Sequence, residues 1–239
     1  TIAPRASGDP AADAVLLPVE GSLESTAAAV TAYGVDCLQV SLDLSDPDSV
    51  RDAARVLHDA WGALDLVVNN AFVHRPQQAF LDLTADSLRA SWEGNFLHQV
   101  LLVQLLLGPM LARGSGTVVD MASSSATYDP PAGPGDGGWG LGYASSKAAF
   151  GRMAGSINAE LGSRGIRAFN VDPGFVVTES ALARGGTEAI ADEGGYPSAD
   201  PGASGAVIAW LATSPDADRF LGKIIWAPKL AEDLAARAT

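Results

Sequence analysis

This sequence predicts a doubly wound parallel α/β sheet, a Rossmann-like three-layer sandwich, on two observations. Short runs rich in Val, Leu and Ile alternate with longer segments whose apolar residues recur at helical spacing, and that alternation is kept along nearly the whole chain. Parallel neighbours need crossover connections, and helices serving as crossovers cover both faces of the sheet. With 239 residues, 47 % of them apolar and 18 % charged, there is material for a sizeable core, and the chain reads as a single domain over 1–239.

Six runs carry the strand signal: 14–19, 36–42, 64–68, 117–121, 167–171 and 223–227. Helices are expected near 22–33, 47–61, 84–112, 143–162 and 202–213. In the second of these Val50, Ala54, Leu57 and Trp61 share a face, and Asp46 followed by Pro47 supplies an N-cap and a proline at the first helical position. The tail A-P-K-L-A-E-D-L-A-A-R also reads as helix. Two segments break the rhythm. Residues 128–142 are dominated by Pro and Gly and sustain neither helix nor strand, and 179–202 is mixed and glycine-containing. Both precede helices at the carboxyl ends of strands, where open parallel sheets bind ligands, so both are candidate substrate-side loops.

A net charge of −13 repels phosphate backbones and anionic lipid, so nucleic acid and membrane surfaces are not expected partners. The longest apolar run, 100–111, is too short to cross a bilayer by itself. The first residues carry no secretory h-region, and an opening Thr1 leaves room for residues upstream. The single cysteine, Cys37, allows no intramolecular disulfide, which points to a reducing, cytoplasmic setting; within D-C-L-Q-V it is expected in the core. His58, His74 and His98 lack metal-ligand spacing, and surface or packing roles are expected for them.

The chemistry-bearing stretch is G-Y-A-S-S-K, residues 142–147. Tyr143 and Lys147 are one helical turn apart and share a face. An ammonium beside a phenol favours the phenolate, so the pair is suited to proton exchange with an alcohol or carbonyl oxygen. Upstream, T-V-V-D-M runs into A-S-S-S, which places Ser123, Ser124 and Ser125 at the carboxyl end of a strand, ready to present a hydroxyl. Strand 64–68 ends in N-N-A, and Asn95 lies within the long helix 84–112.

Taken in order, these motifs resemble the short-chain dehydrogenases/reductases. D-L at Asp43 and Leu44, N-N-A at 69–71, Asn95, Ser123, Y-A-S-S-K and P-G-F-V-V-T at 173–178 fall in that family's order, from about Asp36 to Ala227. The resemblance implies Tyr143 as general acid/base and Lys147 as the group that lowers its pKa and holds the nicotinamide ribose. It implies Ser123 as the hydroxyl that orients the substrate oxygen, with Ser124 and Ser125 as alternatives in the triple serine. Asn95 would hold a water leading to Lys147. Asp43, with Leu44, would meet the adenine, Asn70 the adenosine ribose, and Pro173, Val176 and Thr178 the nicotinamide end; Asn69 is expected to be structural. The implied cofactor is NAD or NADP, the partner a small-molecule substrate, and the assembly a dimer or tetramer built through helices 84–112 and 143–162.

The sequence departs from the family pattern at defined places. No T-G-x-x-x-G-x-G is recognisable before residue 36, where Gly21 stands near Glu20 and Glu24. Phe72 replaces the usual glycine after N-N-A, and the Pro/Gly insertion places Tyr143 twenty positions after Ser123. Tyr128 and Trp139 in that insertion are candidate substrate contacts. The expected activity is NAD(P)-dependent interconversion of a secondary alcohol and a ketone. The alternatives are a lyase, isomerase or dehalogenase-like enzyme that uses Tyr143 without hydride transfer, and a non-enzymatic subunit of an oligomer.

Overall fold

The computed structural model describes residues 22–177 and 198–238. The strand expected at 14–19, Glu20, Gly21, Thr178 and most of the 179–202 loop lie outside the described residues.

Among the described residues, four parallel strands form the sheet in the order β1 (Leu66–Asn69), β2 (Gly116–Met121), β3 (Ile166–Asp172), β4 (Ile224–Trp226). The described helices are α1 (Leu23–Thr31), α2 (Pro47–Trp61), α3 (Ala85–Trp92), α4 (His98–Arg113), α5 (Leu141–Phe150), α6 (Met153–Leu161), α7 (Pro201–Thr213) and α8 (Ala227–Ala238). Side-chain alternation sends successive strand residues to opposite faces. Val67, Val118, Ile166 and Ala168 therefore pack with α2, α4, α5 and α6 in one apolar layer, while Val119, Met121, Phe169 and Val171 pack with α7 and α8 in the other. Every residue of β2 is buried, as expected for a parallel strand covered on both faces.

Local signals set most boundaries. Asp46 caps α2 by accepting the Asp48 N–H at 2.9 Å, with Pro47 at the first helical position. The expected helix 84–112 is present but carries one π-helical turn, Glu93–Leu97, between α3 and α4. Gly94 in that turn lies so close to the segment after β1 that a Cβ there would stand 2.5 Å from Val73 Cγ2. As a continuous helix, Ala85–Arg113 is long and apolar enough to cross a membrane by length and composition alone, beyond what the 100–111 run suggested. Its apolar stripe of Leu102, Val103, Leu106, Leu107 and Met110 is spent on the core of this fold. The expected helix 143–162 starts earlier and breaks at Gly151–Arg152 into α5 and α6.

Two expectations fail together. Residues 36–42 form no strand ladder among the described residues, and Cys37 is exposed rather than buried. The apolar pattern of that run is real but incomplete: Val40, Leu42 and Leu44 reach the core, while 36–39 remain in solvent.

Candidate active site

The site forms at the carboxyl ends of β1, β2 and β3. Leaving β2, the chain makes a single 3₁₀ turn at Ser124–Ala126, with Ser123 as its N-cap. Ser123 Oγ accepts the Ser125 N–H at 3.2 Å, the Ser125 hydroxyl at 2.9 Å and the Tyr143 hydroxyl at 3.3 Å. Ser124 points elsewhere, donating to Asp172 Oδ2. The turn thus separates the triple serine: Ser123 and Ser125 face Tyr143, and Ser124 does not.

Helix α5 presents Tyr143 and Lys147 from one face, as their spacing requires. Lys147 is buried; its Nζ donates to the Met121 carbonyl at 2.8 Å and lies 5.6 Å and 5.1 Å from the ring centroids of Phe72 and Phe150. Burial pulls its pKa down to about 8, against the opposing fields of Asp120 and Asp172. The expected lowering of the Tyr143 pKa is not what this geometry gives. Burial raises it, hydrogen bonds to Ser123 and Ser125 oppose that rise, and the Asp172 charge adds to it. The physical reason is burial of the phenol, while the Lys147 ammonium is turned toward the Met121 carbonyl. In this arrangement Tyr143 is a proton-bearing phenol.

Buried amides on the long helix hold the segment around Phe72 in place. Asn95 Oδ1 accepts the Val73 N–H at 2.6 Å, and its Nδ2 donates to the Val73 carbonyl at 3.0 Å. Gln99 Nε2 donates to the Ala71 carbonyl at 2.6 Å. With Ala71 and Val73 both fixed, the Phe72 ring packs edge-on to Tyr143 at 5.7 Å and to His74 at 5.8 Å. The side chain of Asn95, expected to hold a water for Lys147, is thus bonded at both ends to Val73.

The other expected cofactor contacts are spread along the same edge. Asn70 is exposed just past β1, and Pro173 and Val176 are half-buried past β3. Asp43 Oδ1 closes a local turn by accepting the Ser45 N–H and hydroxyl at 2.8 Å and 2.6 Å. Leu44 is turned into the core, and its carbonyl pairs with His98 Nδ1 at 2.6 Å. Thr178 lies outside the described residues.

Two buried carboxyl groups stand beside the pair, and neither was singled out from the sequence. Asp172 accepts from Ser124 Oγ and from the Gly174 N–H at 3.0 Å; Asp120 accepts from Asn69 Nδ2 at 2.7 Å. The available signal was a charged residue inside T-V-V-D-M, a run too apolar to have a solvent face. Beyond Ser125, a cleft of about 620 Å³ runs between the 128–140 insertion and α5, with Phe80, Tyr128, Trp139 and Leu141 among its walls.

The donor set fits the nicotinamide end of a dinucleotide: hydroxyl, phenol and ammonium are gathered at the strand ends where such ligands bind. The fit has one condition, because Phe72 covers Lys147 and Tyr143. A dinucleotide seated there would have to displace the Phe72 ring, which is 39 % exposed, at the cost of its edge contacts.

The short chain dehydrogenase family model matches residues 2–188. The protein belongs to that family, and the Rossmann-like sheet is the family fold. It is 33 % identical over 170 residues to the Escherichia coli K12 oxidoreductase UcpA, a match covering 71 % of this chain and 62 % of that protein. It is 29 % identical over 161 residues to the L-rhamnose 1-dehydrogenase (NAD(P)(+)) of Sphingomonas sp. SKA58, covering 67 % and 60 %. These matches span about three-fifths of each relative's length. Among solved structures, L-sorbose reductase from Gluconobacter frateurii, complexed with NADPH and L-sorbose, superposes with a TM-score of 0.73 at 22 % identity over 85 % of this chain and 80 % of that one.

Proposed function

We propose that the protein is a nicotinamide-dependent oxidoreductase that interconverts a secondary alcohol and a ketone, with Tyr143 exchanging the proton. The observation that carries this reading is the convergence of the Tyr143 and Ser123 hydroxyls, 3.3 Å apart at the end of the central strand. Two hydroxyls so placed bracket one substrate oxygen, Ser123 orienting it and Tyr143 donating to it or accepting from it. Because burial keeps Tyr143 protonated, the arrangement favours its use as an acid, the role needed for carbonyl reduction. A nicotinamide dinucleotide, when bound, would supply or remove the hydride. Lys147 and Tyr143 would hold its nicotinamide ribose, Pro173, Val176 and Thr178 its carboxamide end, Asn70 its adenosine ribose, and Asp43 its adenine, with Leu44 behind them. The relatives named for NAD(P)-dependent dehydrogenation and for reduction with NADPH support this reading.

The cleft beyond Ser125 gives the substrate its character. Phe80, Tyr128, Trp139 and Leu141 suit an uncharged compound of medium size with an apolar body. The exposed Trp92 and Leu97, on the long helix, suit a second copy of the chain, giving a dimer or tetramer.

Tyr143→Phe is the direct test, assayed with NADH or NADPH against a panel of apolar ketones. The phenylalanine keeps the ring contact with Phe72, so folding should be unchanged while kcat falls about 10²- to 10⁴-fold. Unchanged turnover would remove Tyr143 from the reaction. Phe72 over Lys147 gives the non-redox reading its one specific support, and turnover that persists with every nicotinamide removed would establish that reading instead.

A further inference from the structure

Asn69, Asp120 and Asn170 stand side by side in register on β1, β2 and β3, and all three are buried. Asn69 Nδ2 donates to Asp120 Oδ1 at 2.7 Å, and Asn170 Nδ2 donates to the Gly151 carbonyl at 2.8 Å. Among the described residues, three buried oxygens then have no donor: Asn69 Oδ1, Asp120 Oδ2 and Asn170 Oδ1. With Asp120 ionised, the row would gather unpaired acceptors around a fully buried negative charge, an arrangement that is costly to hold.

One proton removes the conflict between Asp120 and Asn69 and leaves Asn170 Oδ1 beside a neutral pair. On Asp120 Oδ2 it makes an O–H that donates to Asn69 Oδ1, while Asn69 Nδ2 goes on donating to Asp120 Oδ1. Acid and amide then close a two-bond ring between neighbouring strands, and the two unpaired oxygens of that pair satisfy each other. We propose that Asp120 is a neutral carboxylic acid in the folded protein, ringed with Asn69, and that it is a positioning residue whose protonation state sets the charge acting on Lys147 and, through it, on Tyr143.

The groups around it agree with this assignment. From β1 it meets the neutral Asn69, and from β3 the neutral Asn170, with Asp172 two residues further on. From α5 it meets the field of Lys147, whose Nζ is bonded to the Met121 carbonyl instead, with Tyr143 one turn away. Burial pushes the Asp120 carboxyl up to about 7, with the Asn69 hydrogen bond and the Lys147 charge working against the rise. Among the described residues, a neutral Asp120 leaves Asp172 as the one other carboxyl whose field reaches Lys147. Ionisation of Asp120 adds a second charge of the same sign, strengthening the hold on the ammonium and so keeping charged the group that faces Tyr143 from the next turn of α5. The effect on the reaction rests on the proposed role of Tyr143; the neutral acid itself does not.

The experiment is an infrared pH titration of wild type and Asp120→Asn, with a parallel wild-type sample labelled at the aspartate side-chain carboxyl with carbon-13. Asparagine can close the same ring without a dissociable proton, so the variant should fold. The expected result is a protonated-carboxyl stretch at pH 6 that shifts with the label, disappears with a midpoint near 7 and is missing in Asp120→Asn. If the variant fails to fold, the labelled wild type alone decides: no such band between pH 5 and 6 overturns the neutral acid. The pH profile of kcat should show an inflection near 7 in wild type that the variant lacks; identical profiles would overturn the positioning role. Absence of turnover in either protein would count against the proposed function, while the infrared band would still decide the state of Asp120.

Discussion

Asp120 and Asp172 occupy similar places, both buried toward the carboxyl ends of adjacent central strands, yet they are solvated by opposite strategies. Asp172 has a donor on each oxygen, the Ser124 hydroxyl on one and the Gly174 N–H on the other. Asp120 has one donor and one bare oxygen beside two bare amide oxygens. Chain position explains the contrast. Asp172 is the last residue of β3, so the turns that follow β2 and β3 can fold their hydroxyl and amide donors onto it. Asp120 lies one residue inside β2, where its described donor comes from the neighbouring strand, Asn69 on β1. A carboxyl at a strand end can be met by loops, whereas one inside a strand must be met by a neighbouring side chain or by its own proton.

The influences of these carboxyls converge on the Tyr143–Lys147 pair, and the largest expected effect is read there: the 10²- to 10⁴-fold loss of kcat in Tyr143→Phe. If that loss were absent, the comparison would concern two structural carboxyls and no reaction. Next comes stability against pH. The folded pKa of Asp120 lies above its unfolded value of 3.8, so the folded state holds the proton more tightly. Its contribution is fully present below 3.8 and is lost as the pH rises through about 7. Urea denaturation should show wild type losing up to about 4 kcal/mol across that window relative to Asp120→Asn. Parallel curves would mean that Asp120 titrates alike in both states.

Ser124→Ala makes Asp172 resemble Asp120 by stripping one donor. It should destabilise the fold by about 1–3 kcal/mol in thermal or urea unfolding while preserving turnover. Ser123→Ala should show the reverse, with activity lost and the fold retained. Equal losses of activity in the two variants would overturn the separation of the serines made by the 3₁₀ turn. The smallest effect concerns the lid on the pair. Phe72→Ala should tighten NADPH or NADH binding by about tenfold or less, since the edge contact with Tyr143 that must be given up is worth roughly 0.5–1.5 kcal/mol.

Much of this was legible in the sequence. From residue 47 onward strand and helix order followed from apolar periodicity, and the triple serine, Tyr143 and Lys147 were placed by spacing that a strand end and one helical turn translate directly into proximity. What could not be read depended on contacts distant in sequence. The choice among Ser123, Ser124 and Ser125 required the 3₁₀ turn and the position of Asp172. The state of Asp120 required its register neighbours on two other strands, because T-V-V-D-M looks like any buried strand until Asn69 and Asn170 are set beside it. Cys37 was misread for a related reason: an apolar run predicts burial only when a neighbouring element covers it, and among the described residues none covers 36–39.

Fluorescence titration of NADPH and NADH into the protein, with Phe72→Ala alongside, tests the account's central claim most directly. Saturable binding to wild type, tightened in Phe72→Ala, is the result the proposed site requires. Absence of binding in both proteins would contradict it and leave Tyr143 and Lys147 without a hydride partner.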